Sequence, residues 1–249
     1  MKISHEIPKA LFNSHFFIND YPYLLAHLLK GKHKDEGYAN FYKECVKSHD
    51  YSILDNSCYE LGESVDPQIL MDLIQEYEVT HLVLPDAYKD PIKNLQVFTE
   101  FHEMFRGKVK MIGVLQGDSI QEMMFNYDEI SSSEVDVIAI NFTHLKKDDK
   151  TRAHFFDHLL RSRNVEKKIH FLGVQTPFEI QQLTDFHKQY IYSIDTSNPI
   201  TVGWSYKHYD YESYSKPVEK LADHINKILT TKQLDYIAYN VKMFRQFCS

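Results

Sequence analysis

Six short apolar runs in this chain of 249 residues stop, one after another, at a residue able to do chemistry: SILD at Asp55, HLVLPD at Asp86, MIGVLQ at Gln116, VIAIN at Asn141, HFLGVQ at Gln175 and YIYSID at Asp195. Stretches of helical period lie between them. Asp66 and Pro67 read as an N-cap and first helical residue, followed by Ile69, Leu70, Leu73, Ile74 and Tyr77 on one face. A helix from about Pro91 would bury Ile92, Leu95, Phe98, Phe101 and Phe105, and one over Arg152 to Arg163 would bury Phe155, Phe156, Leu159 and Leu160. Thr176, Pro177 and Glu179 form a capping-box pattern leading into Ile180, Leu183 and Phe186. Alternating strands and helices imply a parallel sheet with right-handed crossovers, and near-continuous apolar strands fit a sheet covered by helices. The chain length suits one (β/α) barrel or one doubly wound sheet, folded as a single domain over residues 1–249. In either, ligands gather at the carboxyl ends of the strands, where these six residues fall.

Composition removes several function classes. With 43% hydrophobic and 25% charged residues the chain is ordinary for a globular protein, and no apolar run reaches the roughly 20 residues that a membrane helix needs. The opening MKISHEIPKALFNSHF lacks a secretory pattern, which predicts a cytoplasmic protein, in the host cytoplasm if a phage encodes it. Cys45, Cys58 and Cys248 are widely spaced and odd in number, so reduced thiols are expected rather than disulfides or structural zinc. Fourteen histidines without HxH or HExxH spacing give no metal site, and neither a catalytic metal nor another cofactor is expected. The net charge of −7 disfavours non-specific attraction to nucleic acid, so a polynucleotide would need a local basic patch. Lys30 to Lys34, the group Lys146, Lys147, Lys150 and Arg152, and the group Arg161, Arg163, Lys167 and Lys168 are candidates; solvated helix faces and loops are the plainer reading of each. The Tyr-rich segment from Tyr206 to Lys216 reads as a long loop.

The motifs at the strand ends have a family likeness. LDNSCYE at Leu54 to Glu60, LPDAY at Leu84 to Tyr88, GVLQGD at Gly113 to Asp118, LGVQTPFE at Leu172 to Glu179, YSIDTSNP at Tyr192 to Pro199 and AYNVKMF at Ala238 to Phe244 resemble, in order, the motifs of tRNA-guanine transglycosylases. The resemblance implies a (β/α)8 TIM-like barrel. It implies that Asp195 is the nucleophile attacking C1′ of a nucleotide, and that Asp55 is the general acid/base. Asp86 would read the N1 hydrogen and 2-amino group of guanine, Tyr59 would stack on the heterocycle, and Gln116 with the Gly117 backbone would contact O6 or the 7-substituent. Asn141 and Gln175 fall at further base-contacting positions. Each has a plain competitor: a strand-end Asp is often the N-cap of the next helix, Gln116-Gly117 is also a strand-to-turn junction, and Tyr59 is also a core or interface residue.

Departures from the family pattern shape the expected substrate. Ser57 and Cys58 replace two glycines and Glu60 replaces a glutamine, adding bulk and charge beside the base pocket. Thr196, Ser197 and Asn198 replace the run after the nucleophile, and the family's zinc subdomain has no counterpart in the 54 residues after Asp195. The chain looks most like the compact phage-type branch that exchanges guanine in DNA for a 7-deazaguanine, in the 7-cyano or 7-aminomethyl form. DNA is therefore the expected partner, with the target base flipped out or single-stranded. Trp204 and the Tyr206 to Tyr214 loop would offer neighbouring bases a stacking surface. Alternatives stay open: the same exchange on tRNA, action on free nucleosides, or a catalytically silent nucleic-acid-binding barrel or partner subunit. Pairing of two copies as a homodimer is also open.

Overall fold

The computed structural model describes residues 1–142, 144, 145, 147, 148, 150–209 and 221–249. Its strands are β1 (Lys2–His5), β2 (Tyr23–Leu25), β3 (Ile53–Asp55), β4 (His81–Val83), β5 (Lys110–Leu115), β6 (Val137–Asn141), β7 (His144–Leu145), β8 (Lys150–Thr151), β9 (Lys168–Leu172) and β10 (Ile191–Thr196). β7 and β8 make a small antiparallel pair. The other eight form one parallel sheet in the order β1-β10-β9-β6-β5-β4-β3-β2, which places the protein in the α/β class as a (β/α)8 TIM-like barrel. All six apolar runs are strands. Beyond them, β1 and β2 are two short strands that carry no long apolar run.

The chain divides into two compact units, Tyr21–His170 and Met1–Asp20 with Phe171–Ser249. In the first, β2 to β6 pair successively in parallel and their side chains are almost all buried. Asp66 caps helix Pro67–Tyr77 by accepting from the Gln68 N–H, as its sequence predicts. Helix Pro91–Phe105 buries Phe98 and Phe105 but leaves Ile92 67% exposed, because Asn94 takes the inward position of the first turn. Asn94 is 1% exposed and fully bonded: its amide donates to the Val114 carbonyl at 2.9 Å and to Asn126 at 2.8 Å, and its oxygen accepts from the Ala87 N–H. A buried amide is tolerated there because every polar atom has a partner.

In the second unit β1 pairs with β10, with Ser4 opposite Asp195. Ile7, Leu11, Ile18, Ile200, Trp204, Ile237 and Val241 form its apolar cluster. The expected single helix through Phe186 is instead two pieces, Pro177–Gln181 and Asp185–Lys188. Thr184 starts the second piece with a capping box to His187, which turns Phe186 outward at 51% exposed. Trp204 is 4% exposed within the cluster, and Tyr209 is buried with its hydroxyl donating to Asn198, so neither offers a stacking surface. Residues 210–216 of the Tyr-rich loop lie outside the described residues.

All three cysteines are free and buried, and burial pushes each thiol up to about 12. No helix among the described residues is long and apolar enough to cross a membrane. Two buried histidines, His5 and His81, are pushed from 6.5 down to about 4, chiefly by burial. A depressed histidine contributes stability above its unfolded pKa and loses it as pH falls through the folded value. Urea titrations between pH 7 and pH 4 should therefore show stability falling below pH 6.5, by roughly 3 kcal/mol per histidine at most. His81→Phe should flatten part of that slope.

Candidate functional site

In the unit Tyr21–His170 the predicted residues stand where strands end. Asp55 is the last residue of β3 and is buried. The Tyr23 hydroxyl, from β2, donates to its Oδ1 at 2.8 Å, and the Ser57 N–H donates to its Oδ2 at 2.8 Å. Ser57 can turn its N–H back because its backbone is left-handed, with φ +61°. A serine adopts this conformation at an energetic disadvantage of about 1 kcal/mol. Tyr23, one of 17 tyrosines in an unremarked strand, is a site residue that sequence reading missed.

From Asn56 onward, side chains join the ends of β3, β4, β5 and β6. Asn56 Nδ2 donates to the Leu84 carbonyl at 2.6 Å and to Asp86 Oδ1 at 2.8 Å, while its Oδ1 accepts from the Cys58 N–H. Gln116 Nε2 donates to Asp86 Oδ2 at 2.6 Å, and its Oε1 accepts from the Lys89 N–H at 3.0 Å and from Asn141 Nδ2 at 2.7 Å. Main-chain groups thus fix which way both amides face: Asn56 must turn its NH2 to a carbonyl, and Gln116 must turn its oxygen to an N–H. Asp86 is consequently met by a donor on each oxygen, and each oxygen has a second lone pair for a ligand N–H. Burial dominates its titration and raises the carboxyl above its ordinary value, against the opposing pull of Asn56 and Gln116. A ligand bringing more donors would favour the ionised form.

The structure thus brings Asp86, Gln116 and Asn141 into one bonded row, with Asp55 beside Asn56 at its start. Asn94 holds the loop after β4 through the Ala87 N–H, so Asp86 is positioned from both sides. Tyr59 lies in the short helix Cys58–Leu61, is 46% exposed, and meets the Tyr88 ring edge-on at 6.0 Å. The missing side chain of Gly117 has a structural use within the fold. A Cβ there would sit 2.8 Å from the Glu122 Cβ and 3.0 Å from the Met123 nitrogen, so the glycine admits its own following helix, Ile120–Ser131.

Asp195 and Gln175 belong to the other unit. Asp195, in β10, is 2% exposed, and its Oδ1 accepts from the Gly173 N–H at 2.9 Å. Its carbonyl accepts from the Val174 N–H, and the Thr196 hydroxyl donates to the Val174 carbonyl at 2.6 Å, which fastens the turn after β9 to β10. Gln175 contributes its carbonyl, which accepts from Asn198 Nδ2. Thr196 and Asn198 therefore brace the turn beside the carboxylate.

The basic clusters are largely spent within the fold. Lys30 pairs with Asp72, Lys34 with Glu36, Lys147 with Glu122, Arg161 with Asp157, and Arg163 grips Asp128 through two bonds. Arg152 is 1% exposed and donates to the Ile140 carbonyl, so it is a structural residue rather than a nucleic-acid contact. Lys146 lies outside the described residues. Among the described residues no group of three or more His, Cys, Asp or Glu could hold a metal ion. No protein-family model matches the chain, and no curated protein matches it in sequence.

Proposed function

We propose that the protein exchanges guanine in DNA for a 7-deazaguanine base through a glycosyl ester on Asp195. The observation that carries this reading is the polarity of Asp86: two oxygens, each already steered by an amide that the main chain has locked, face a ligand as acceptors only. Guanine presents two donors side by side, N1–H and the 2-amino group, whereas adenine presents an acceptor at N1. Gln116 has a second amide hydrogen for O6.

Chemically, an Asp195 oxygen attacks C1′ as the C1′–N9 bond breaks through an oxocarbenium-like transition state. Asp55, oriented by Tyr23 and Ser57, hands a proton to the departing guanine. Asp55 then removes the N9 proton of the incoming 7-deazaguanine, whose nitrogen attacks C1′ and expels the Asp195 carboxylate. Tyr59 offers its exposed ring to the heterocycle.

Incubation with radiolabelled guanine and, separately, single-stranded DNA, tRNA and free deoxyguanosine tests the reading. Label is expected in DNA. Label in tRNA alone, or in the nucleoside alone, would replace DNA as the substrate, and retention of DNA without label by folded protein would identify a silent binding barrel.

A further inference from the structure

Next to the row of Asp86, Gln116 and Asn141, the chain exposes two aromatic rings and a lysine. Tyr59 and Tyr88 are 46% and 39% exposed and stand nearly perpendicular, at 85°. Lys89 Nζ lies 4.9 Å from the Tyr88 ring centroid. Among the described residues no carboxylate pairs with Lys89, in contrast to Lys30, Lys34, Lys147, Arg161 and Arg163. Its backbone is left-handed, with φ +62°, a conformation unfavourable for a lysine. The Lys89 N–H bond to Gln116 Oε1 is what holds it there. The same bond that sets the polarity of the base pocket therefore fixes where this unpaired cation leaves the surface.

Resting on the reading of Asp86 as a guanine site, we infer that Tyr88 and Lys89 bind the nucleotide next to the target in a single DNA strand. Lys89 meets the flanking phosphate, and the open face of Tyr88 stacks on the adjacent base, leaving Tyr59 for the target itself. An aromatic face beside a cation with no acidic partner complements one repeat of a nucleic-acid strand, a flat base and an anionic phosphate. Lys30, Lys34, Lys147, Arg161 and Arg163 are engaged with carboxylates of the fold, so those clusters offer DNA little, and the contact at Tyr88 and Lys89 contributes to strand affinity.

Fluorescence anisotropy with a short labelled single-stranded oligodeoxynucleotide containing one guanine, over a series of salt concentrations, tests this. Tyr88→Ala should weaken binding about tenfold, while equilibrium dialysis shows free guanine held as by the wild type. Lys89→Gln should lower the slope of log affinity against log salt by about 0.7, the value for one phosphate contact on a single strand. Lys89→Gly, which suits the left-handed backbone, should do the same without risk to folding. Oligonucleotide binding unchanged in all three variants would overturn the surface while leaving the base site standing. Wild-type protein that holds free guanine but not the oligonucleotide would do likewise. Failure to hold either would overturn the guanine reading itself. An RNA oligonucleotide bound as tightly as DNA would overturn the choice of strand.

Discussion

Asp195→Asn is expected to abolish base exchange, with a loss of about four orders of magnitude or more, as befits removal of a nucleophile. It should also eliminate the denaturation-resistant adduct between protein and DNA. An asparagine keeps an oxygen that can accept from the Gly173 N–H, so the turn after β9 retains its anchor and thermal unfolding should shift little. Asp55→Asn should behave differently. The adduct forms more slowly, because the departing guanine loses its proton donor, and it then persists, because no carboxylate remains to take the proton of the incoming base. The pair is read on a denaturing gel: no band for Asp195→Asn and an accumulating band for Asp55→Asn. A persistent adduct in Asp195→Asn would remove the assignment of the nucleophile.

The largest effect on stability is expected at Gly203, in helix Asn198–Trp204. A Cβ there would lie 2.6 Å from the Ile237 Cγ1 and 2.7 Å from both the Cα and the nitrogen of Ile237, in helix Thr231–Cys248. Two of those three atoms are main chain, so trimming the Ile237 side chain cannot relieve the clash. Gly203→Ala must push the two helices apart and loosen the cluster of Ile7, Ile200, Trp204 and Val241. A destabilisation of about 3 kcal/mol is expected, seen as a lowered midpoint in urea with an unchanged slope. A midpoint within error of the wild type would show that the two helices do not meet so closely.

Much of the fold was legible because strands buried on both faces must be apolar, so each betrays itself as a run that stops where the chain reaches polar surroundings. β1 and β2 were not, since β1 buries a serine and a histidine within KISH, and YLL runs on into Ala26 instead of stopping at a residue able to do chemistry. His5 is accommodated there by Asn19, whose side chain bonds the His5 main chain and ring. The break after Gln181 escaped notice because the apolar period runs through it, although Thr184 and His187 repeat the capping pattern of Thr176 and Glu179.

Within the candidate site, the strand-end positions of Asp55, Asp86, Gln116 and Asn141 followed from the runs. Their bonding did not. Asn56 and Asn94 look like turn residues in a sequence, and only the carbonyls and N–H groups of distant strands turn them into fixed donors. Tyr23 is hidden for a similar reason: nothing near it in the chain says that its hydroxyl ends against Asp55, 32 residues later.

The locking of Asn56 and Gln116 by Leu84, Cys58 and Lys89 has a consequence for how such a pocket can diverge. Where amide side chains are free to rotate, a single exchange of Asp for Asn lets a pocket greet adenine as readily as guanine. Here Asp86→Asn would confront two NH2 groups that cannot turn away, leaving one of them facing another donor. On the proposed guanine reading, a lineage seeking a new base must rebuild three strand ends together, so drift at this site is confined to the periphery of the purine.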